Sequence, residues 1–195
     1  MERVNRTRFA VLGVLSTGPQ SGYDVKKFCE EVLAYFWRES YGQIYPLLRT
    51  LEAEGLIRKE KSELAEGDRR VAFVLTDSGR KELSEWLSGP VADQPPRNEL
   101  LLKVFFSNLI GPAAVIPQVA AHEAAQQQLR QVLMGVLFSL DSEMDGDPQM
   151  PYWKMTVRLG LRICDARIEW CKETLKELQT IKEKSSMPSA AAMLE

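Results

Sequence analysis

Histidine is nearly absent from this chain. Its 195 residues hold one, His122, and three cysteines, and neither type falls into a CxxC, HExxH or similar ligand spacing. Imidazole-based acid–base schemes and metal sites are therefore disfavoured. GxSxG and P-loop patterns are missing too, and the carboxylates scatter over charged helical faces without an identifiable pair. Catalysis is not expected, and neither is a metal or cofactor. No apolar run approaches the roughly 18 residues that cross a bilayer. The leading MERVNRTRF lacks the apolar stretch of a signal peptide, so the cytoplasm is the expected location. Cys29, Cys164 and Cys171 fall on apolar helical faces and read as reduced structural thiols. A basic excess is lacking as well: the formal net charge is −2. Local clusters of charge must then carry any affinity for polyanions.

What is present centres on Ser40 to Gly55, SYGQIYPLLRTLEAEG. Ser40 with Gln43 reads as a capping box opening a helix, and Gly55 as its left-handed stop. Ile44, Leu47, Leu48 and Leu51 mark a buried face. The opposite face carries Gly42, Gln43, Tyr45, Pro46, Arg49, Thr50 and Ala53, which suits a groove better than a core. Pro46 inside the helix forfeits the bond to the Gly42 carbonyl, so a slight bend is expected. A strand over 56–61 follows, then a loop ending in Gly67-Asp68, then Arg69-Arg70 leading into a second strand over 71–75. Upstream, residues 8–16 form an apolar helix, and Ser21 caps a second with Val25, Phe28, Cys29, Val32 and Phe36 on one face. Thr76 caps a further helix through Leu87. The order α-α-α-β-β-α is that of a winged helix-turn-helix, whose third helix reads the major groove while the hairpin lies on the backbone.

The residues Leu12-Gly13-Val14-Leu15, Ser21-Gly22-Tyr23-Asp24, Ser40 to Leu48, Leu51 to Ile57 and Leu75-Thr76-Asp77-Ser78-Gly79 closely resemble the PadR family of bacterial transcriptional regulators. The match spans essentially all of residues 8–88. Length and a helical second half resemble the longer-chained subfamily with a virulence-activator C-terminal domain. The resemblance implies homodimers on palindromic operators, repression as the usual outcome, and release by small phenolic or other aromatic ligands.

Within that frame the Ser40 and Tyr41 hydroxyls, at the helix start, are candidates for phosphates. Gln43 and Arg49 are candidates for base edges, adenine and guanine respectively. Tyr45, Pro46 and Thr50 complete the reading face, and Lys61, Arg69 and Arg70 would supply sequence-independent affinity from the wing. Arg3, Arg6 and Arg8, and Arg58 with Lys59, add to the basic patches, with the acidic residues largely elsewhere.

The expected organisation is a DNA-binding domain over 1–88, a Pro-rich linker over 89–98, a helical dimerisation domain over 99–184 and a frayed tail over 185–195. Overall the fold class is mainly α with one small β-hairpin. Asn98 caps a helix through Leu109, and a long helix to about Asp141 carries Val115, Val119, His122, Gln126, Leu129, Leu133, Val136 and Leu140 in steps of four and three. The last helix, from about Tyr152 to Lys184, repeats that step in Val157, Leu161, Cys164, Ile168, Cys171, Leu175 and Leu178, a coiled-coil seam assigned to dimerisation. A second row, Leu159, Ile163, Ala166 and Trp170, runs beside it. Two apolar rows on one helix imply self-association. His122 with Gln126 forms a polar patch, which reads as a ligand-binding or pH-sensing site between helices, or as a register-setting pair or solvent-exposed end of the seam. Trp153 and Trp170 fill the core or stack on an aromatic effector. The competing reading is a winged helix used as a protein–protein module in a helical scaffold. It has no need of cations at Arg49, Arg69 and Arg70.

Overall fold

A computed structural model of the chain describes residues 6–37, 41–63, 69–92, 97–143 and 146–186. The chain forms two compact units that divide near residue 93.

In the first unit α1 (Arg6–Ser16), β1 (Gln20–Ser21), α2 (Gly22–Glu31), α3 (Ile44–Ala53), β2 (Ile57–Glu63), β3 (Arg69–Leu75) and α4 (Asp77–Ser88) follow in order. Val11, Leu12, Val25, Cys29, Ile44, Leu48, Leu51 and Ile57 form its core. The antiparallel sheet runs β1-β3-β2, with Ser21 opposite Ala72 and Lys59 opposite Phe73. The expected capping box of α2 is present: Asp24 N–H donates to Ser21 Oγ at 3.1 Å, and the Asp24 carboxylate accepts from Ser21 N–H at 3.3 Å. That helix ends at Glu31, however. Val32 and Phe36, expected on its buried face, are exposed around a 3-10 turn over Leu33–Tyr35.

The reading helix differs from expectation at one end only. Gly55 takes φ 75°, Leu56 N–H donates to the Leu51 carbonyl and Gly55 N–H to that of Glu52, each at 3.0 Å. This Schellman pair stops α3 where the sequence indicates. At the start, Tyr41–Gln43 form a 3-10 turn and Gln43 is the N-cap, without a side-chain cap bond. Pro46 explains the shift. As third residue of the α-helix it lies where backbone N–H groups have no intrahelical partner, so the ring costs no hydrogen bond. A start at Tyr41 would have placed Pro46 beyond that first turn. Its expected lost bond does not arise.

Arg8 ties three helices together. Its Nη2 lies 2.7 Å from Glu54 at the end of α3 and 2.7 Å from Glu82 on α4. Beside it Phe9 stacks on Trp86, ring centroids 4.6 Å apart.

In the second unit α5 (Glu99–Phe105) is capped by Asn98 and gives way to a 3-10 turn over Ser107–Leu109, shorter than the expected single helix. Two long helices follow, α6 (Pro112–Glu143) and α7 (Met150–Ser186). Val115, Val119, Gln126 and Leu133 of α6 are buried, as the four-and-three step requires. Across from them lie Cys164, Cys171 and Leu178, also buried, and Val115, Val119, Cys171 and Leu178 form one cluster with Leu175 and Trp170 against it. The row Val157, Leu161, Cys164, Ile168, Cys171, Leu175, Leu178 is thus half-buried or buried within a single chain, facing α6. It was expected between copies; the reason for the difference is that α6 carries a matching seam. Leu159 and Ile163 of the second row point outward instead.

Among the described residues no helix is long and apolar enough to cross a membrane. Burial pushes the Cys29 thiol up to about 11, with Glu30 adding to the effect, and burial also raises Cys164 and Cys171. All three stay protonated at neutral pH, as structural thiols do.

Candidate nucleic-acid interface

The outer face of α3 is a low, mostly uncharged ridge. Gln43, Tyr45, Pro46, Arg49 and Thr50 are exposed along it, opposite the buried Ile44, Leu48 and Leu51. Thr50 Oγ1 donates to the Pro46 carbonyl at 3.2 Å. Arg49 pairs with no carboxylate among the described residues. Three cations of the expected basic clusters are different. Arg58 Nη1 meets Glu60 at 3.5 Å, Lys59 Nζ meets Glu52 at 2.6 Å, and Arg8 is held by two glutamates. The expected separation of acidic from basic residues therefore fails at these three positions. Arg8 and Lys59 are neutralised by pairing between different elements, and Arg58 by a neighbour on its own strand.

On the wing, Lys61 sits across from Val71, Arg70 from Ser62 and Arg69 from Glu63. Ser40 lies outside the described residues, as do the side chains of Tyr41, Lys61, Arg69 and Arg70.

Between the start of α2, the outer side of α3 and the wing runs an open groove of about 650 Å³, lined by Ser21, Gly22, Tyr23, Tyr45, Lys59, Val71 and Phe73. Gly22 lies against one wall of it: a Cβ there would sit 2.9 Å from Cε1 of Tyr45, so the glycine lets that ring rest on the head of α2 without shifting. Tyr23 was not among the expected contact residues, and Lys59 was expected only as part of a basic patch. The signal for Tyr23 was an aromatic directly after a capped glycine, and for Lys59 its place in a basic run on the first wing strand.

The three effector candidates do not form one site. His122 is half-buried on α6; burial, then the Arg167 guanidinium, holds its imidazole below the usual value. Arg167 also donates to the buried Gln126 at 3.4 Å, so the polar patch is an internal pairing of α6 with α7. Trp170 packs on the Val115 cluster. Trp153 lies 17 residues earlier on α7, roughly 25 Å away at 1.5 Å per residue.

Comparison with known proteins agrees with this architecture. Residues 11–85 match the transcriptional regulator PadR-like family, and residues 96–179 the virulence activator alpha C-terminal family. The negative transcriptional regulator PadR of Bacillus subtilis is 36% identical over 103 residues, 51% of this chain and 55% of that protein. A probable transcriptional regulator of Mycobacterium tuberculosis is 27% identical over 87% of this chain and 96% of its own. Among solved structures, the PadR-like regulator BC1756 from Bacillus cereus superposes with a TM-score of 0.76, at 26% identity, over 89% of this chain and 98% of that one. B. subtilis PadR does so in complex with operator DNA (TM-score 0.75, 24% identity) and with p-coumaric acid (0.72, 25%), each over 88% of this chain and 98% of that chain. Ridge, wing and paired long helices, with both family matches, lead to one conclusion: the chain belongs to the PadR-like family of transcriptional regulators, in the branch with a virulence-activator C-terminal domain.

Proposed function

We propose that this protein is a cytoplasmic homodimeric repressor that binds a pseudopalindromic operator and leaves it when a small aromatic effector binds. The observation that carries the DNA reading is the α3 ridge: five exposed residues in one stripe, with an arginine that no described carboxylate neutralises. Gln43 and Arg49 meet base edges, while Tyr45, Pro46 and Thr50 supply a surface low enough to enter the major groove. Ser40 and Tyr41 hold phosphates at the helix start, and Lys61, Arg69 and Arg70 hold the backbone from the wing. Support for repression and for a phenolic effector comes from the B. subtilis relative, a negative regulator whose structure has been solved with p-coumaric acid. Self-association is supported by the apolar surface that the second unit leaves uncovered: Leu102, Phe105, Phe106 and Leu109 on and after α5, and Leu159 with Met155 on α7.

The test is a titration of the purified protein on DNA from upstream of its own gene against a scrambled duplex, across salt, with and without p-coumarate. Tighter binding to the upstream DNA, relieved by the phenolic acid, supports the proposal. Equal binding to both duplexes rejects it. Arg49→Ala is expected to cost about 1–3 kcal/mol on the operator and little on scrambled DNA, as loss of one base contact does. A uniform loss on both would make Arg49 a phosphate contact instead.

A further inference from the structure

Lys59 and Glu52 face each other beside the groove between α3 and the wing. Lys59 Nζ lies 2.6 Å from Glu52 Oε2 and 5.8 Å from the centroid of the Phe73 ring. The side chains are 50% and 31% exposed, so the pair adds little to stability and its place calls for another reason. When a winged helix sits on a duplex, the reading helix occupies the major groove and the wing lies on the adjoining backbone. The groove between them faces the intervening phosphates. Lys59 lines that groove and its cation is directed at a carboxylate on the reading helix itself.

Resting on the DNA-binding reading above, we propose that Glu52 is a specificity-determining residue: it occupies Lys59 on non-cognate DNA and cedes it to a phosphate only when operator contacts seat α3. A carboxylate and a phosphate compete for the same ammonium. An ammonium already paired releases fewer counterions from DNA, so it contributes little to indiscriminate affinity. Glu52 also repels any phosphate that approaches without displacing it. On the operator, base contacts along Gln43 and Arg49 draw the helix in and bring a phosphate within reach of the flexible lysine stem. The exchange is then made by one kind of DNA and not by the other. Specificity is a difference between two affinities, and this device acts by lowering the unwanted one.

The experiment measures binding of labelled operator and scrambled duplexes of equal length over a salt series, by fluorescence anisotropy, for the full-length wild type, Glu52→Gln and the Glu52→Gln/Lys59→Gln double variant. Glu52→Gln is expected to raise affinity for scrambled DNA roughly fivefold near physiological salt and to steepen its log–log salt slope by about one, narrowing the operator preference. The double variant is expected to lose that gain. Both positions are partly exposed, and unchanged melting curves will show the fold intact. The proposal is overturned if Glu52→Gln leaves scrambled binding unchanged. It is equally overturned if the double variant keeps the gain, since Glu52 would then act by repulsion alone. A wild type that does not distinguish the two duplexes refutes the DNA reading itself, a separate result.

Discussion

Changing Phe105 and Leu109 together to glutamate is expected to yield a monomer at micromolar concentration and to weaken operator binding at least about a hundredfold. Phe105 is 80% and Leu109 90% exposed in the single chain, and Phe106 and Ile110 beside them are also open. The Phe105 and Phe106 rings meet edge-on at 5.0 Å, an ordered aromatic step. None of these side chains serves the core built from Val115, Val119, Cys171 and Leu178, so their removal spares the unit's own packing. Full burial of a Phe or Leu is worth about 1.5–3 kcal/mol. A two-fold interface uses each residue twice, so four side chains supply about 6–12 kcal/mol before association costs. Buried glutamates would add an opposing charge penalty. A monomer then loses the tethered second half-site, whose effective concentration with short linkages is on the order of millimolar. Sedimentation velocity and operator titration on the same sample check both parts. A variant that remains dimeric would exclude the α5 region from the interface.

How far the chain could be read without coordinates depended on whether a signal was local. Ser21 with Asp24, Thr76, Asn98 and Gly55 all mark element ends where the sequence indicates, because a cap is a bond between residues two to five apart. The start of α3 differs from the expected one because two local signals compete there. Ser-x-x-Gln argues for an early start and Pro46 for a late one, since only the first turn of a helix takes its ring without losing a hydrogen bond. The end of α2 carries no glycine or proline stop, and Val32 and Phe36 happen to continue the apolar spacing. Strand β1 has two residues and exists only by pairing with Ala72 and Phe73, so it has no periodicity to detect. The ion pairs of Arg8 join residues far apart in the chain, and that of Lys59 joins two elements across the turn at Gly55, so neither has a periodicity to detect. The α7 seam was visible as a seam. Its partner was not, since a matching α6 and a second copy of α7 satisfy the same pattern.

Gly79→Ala is expected to be the most damaging single-methyl change in the first unit. Gly79 is the third residue of α4, and its N–H donates to Oγ1 of the Thr76 cap at 3.1 Å. A Cβ at this position would run into the carbonyl oxygen of Leu56 and lie 2.8 Å from Cδ1 of Leu75. That carbonyl is itself fixed, because it accepts from Thr76 N–H at 3.1 Å and from Thr76 Oγ1 at 2.9 Å. Leu56 in turn closes the Schellman end of α3. Relief therefore requires moving α4 away from the junction of the reading helix and the sheet. Overpacking costs about 1–3 kcal/mol, and each hydrogen bond strained at the cap about 0.5–1.5 more. Together they approach about 2–5 kcal/mol, which a domain of this size registers as a melting temperature lower by more than about 10 °C. Gly13→Ala is the control. A Cβ there meets nothing within 4 Å, and α1 is helical through that residue, so the same methyl is expected to be neutral or stabilising by up to about 1 kcal/mol. Thermal melts of the two variants should move in opposite directions or differ by that margin. Coincident curves would mean that the α4–Leu56 contact is loose, and that the glycine ending the Leu-Thr-Asp-Ser-Gly run is not there for close packing.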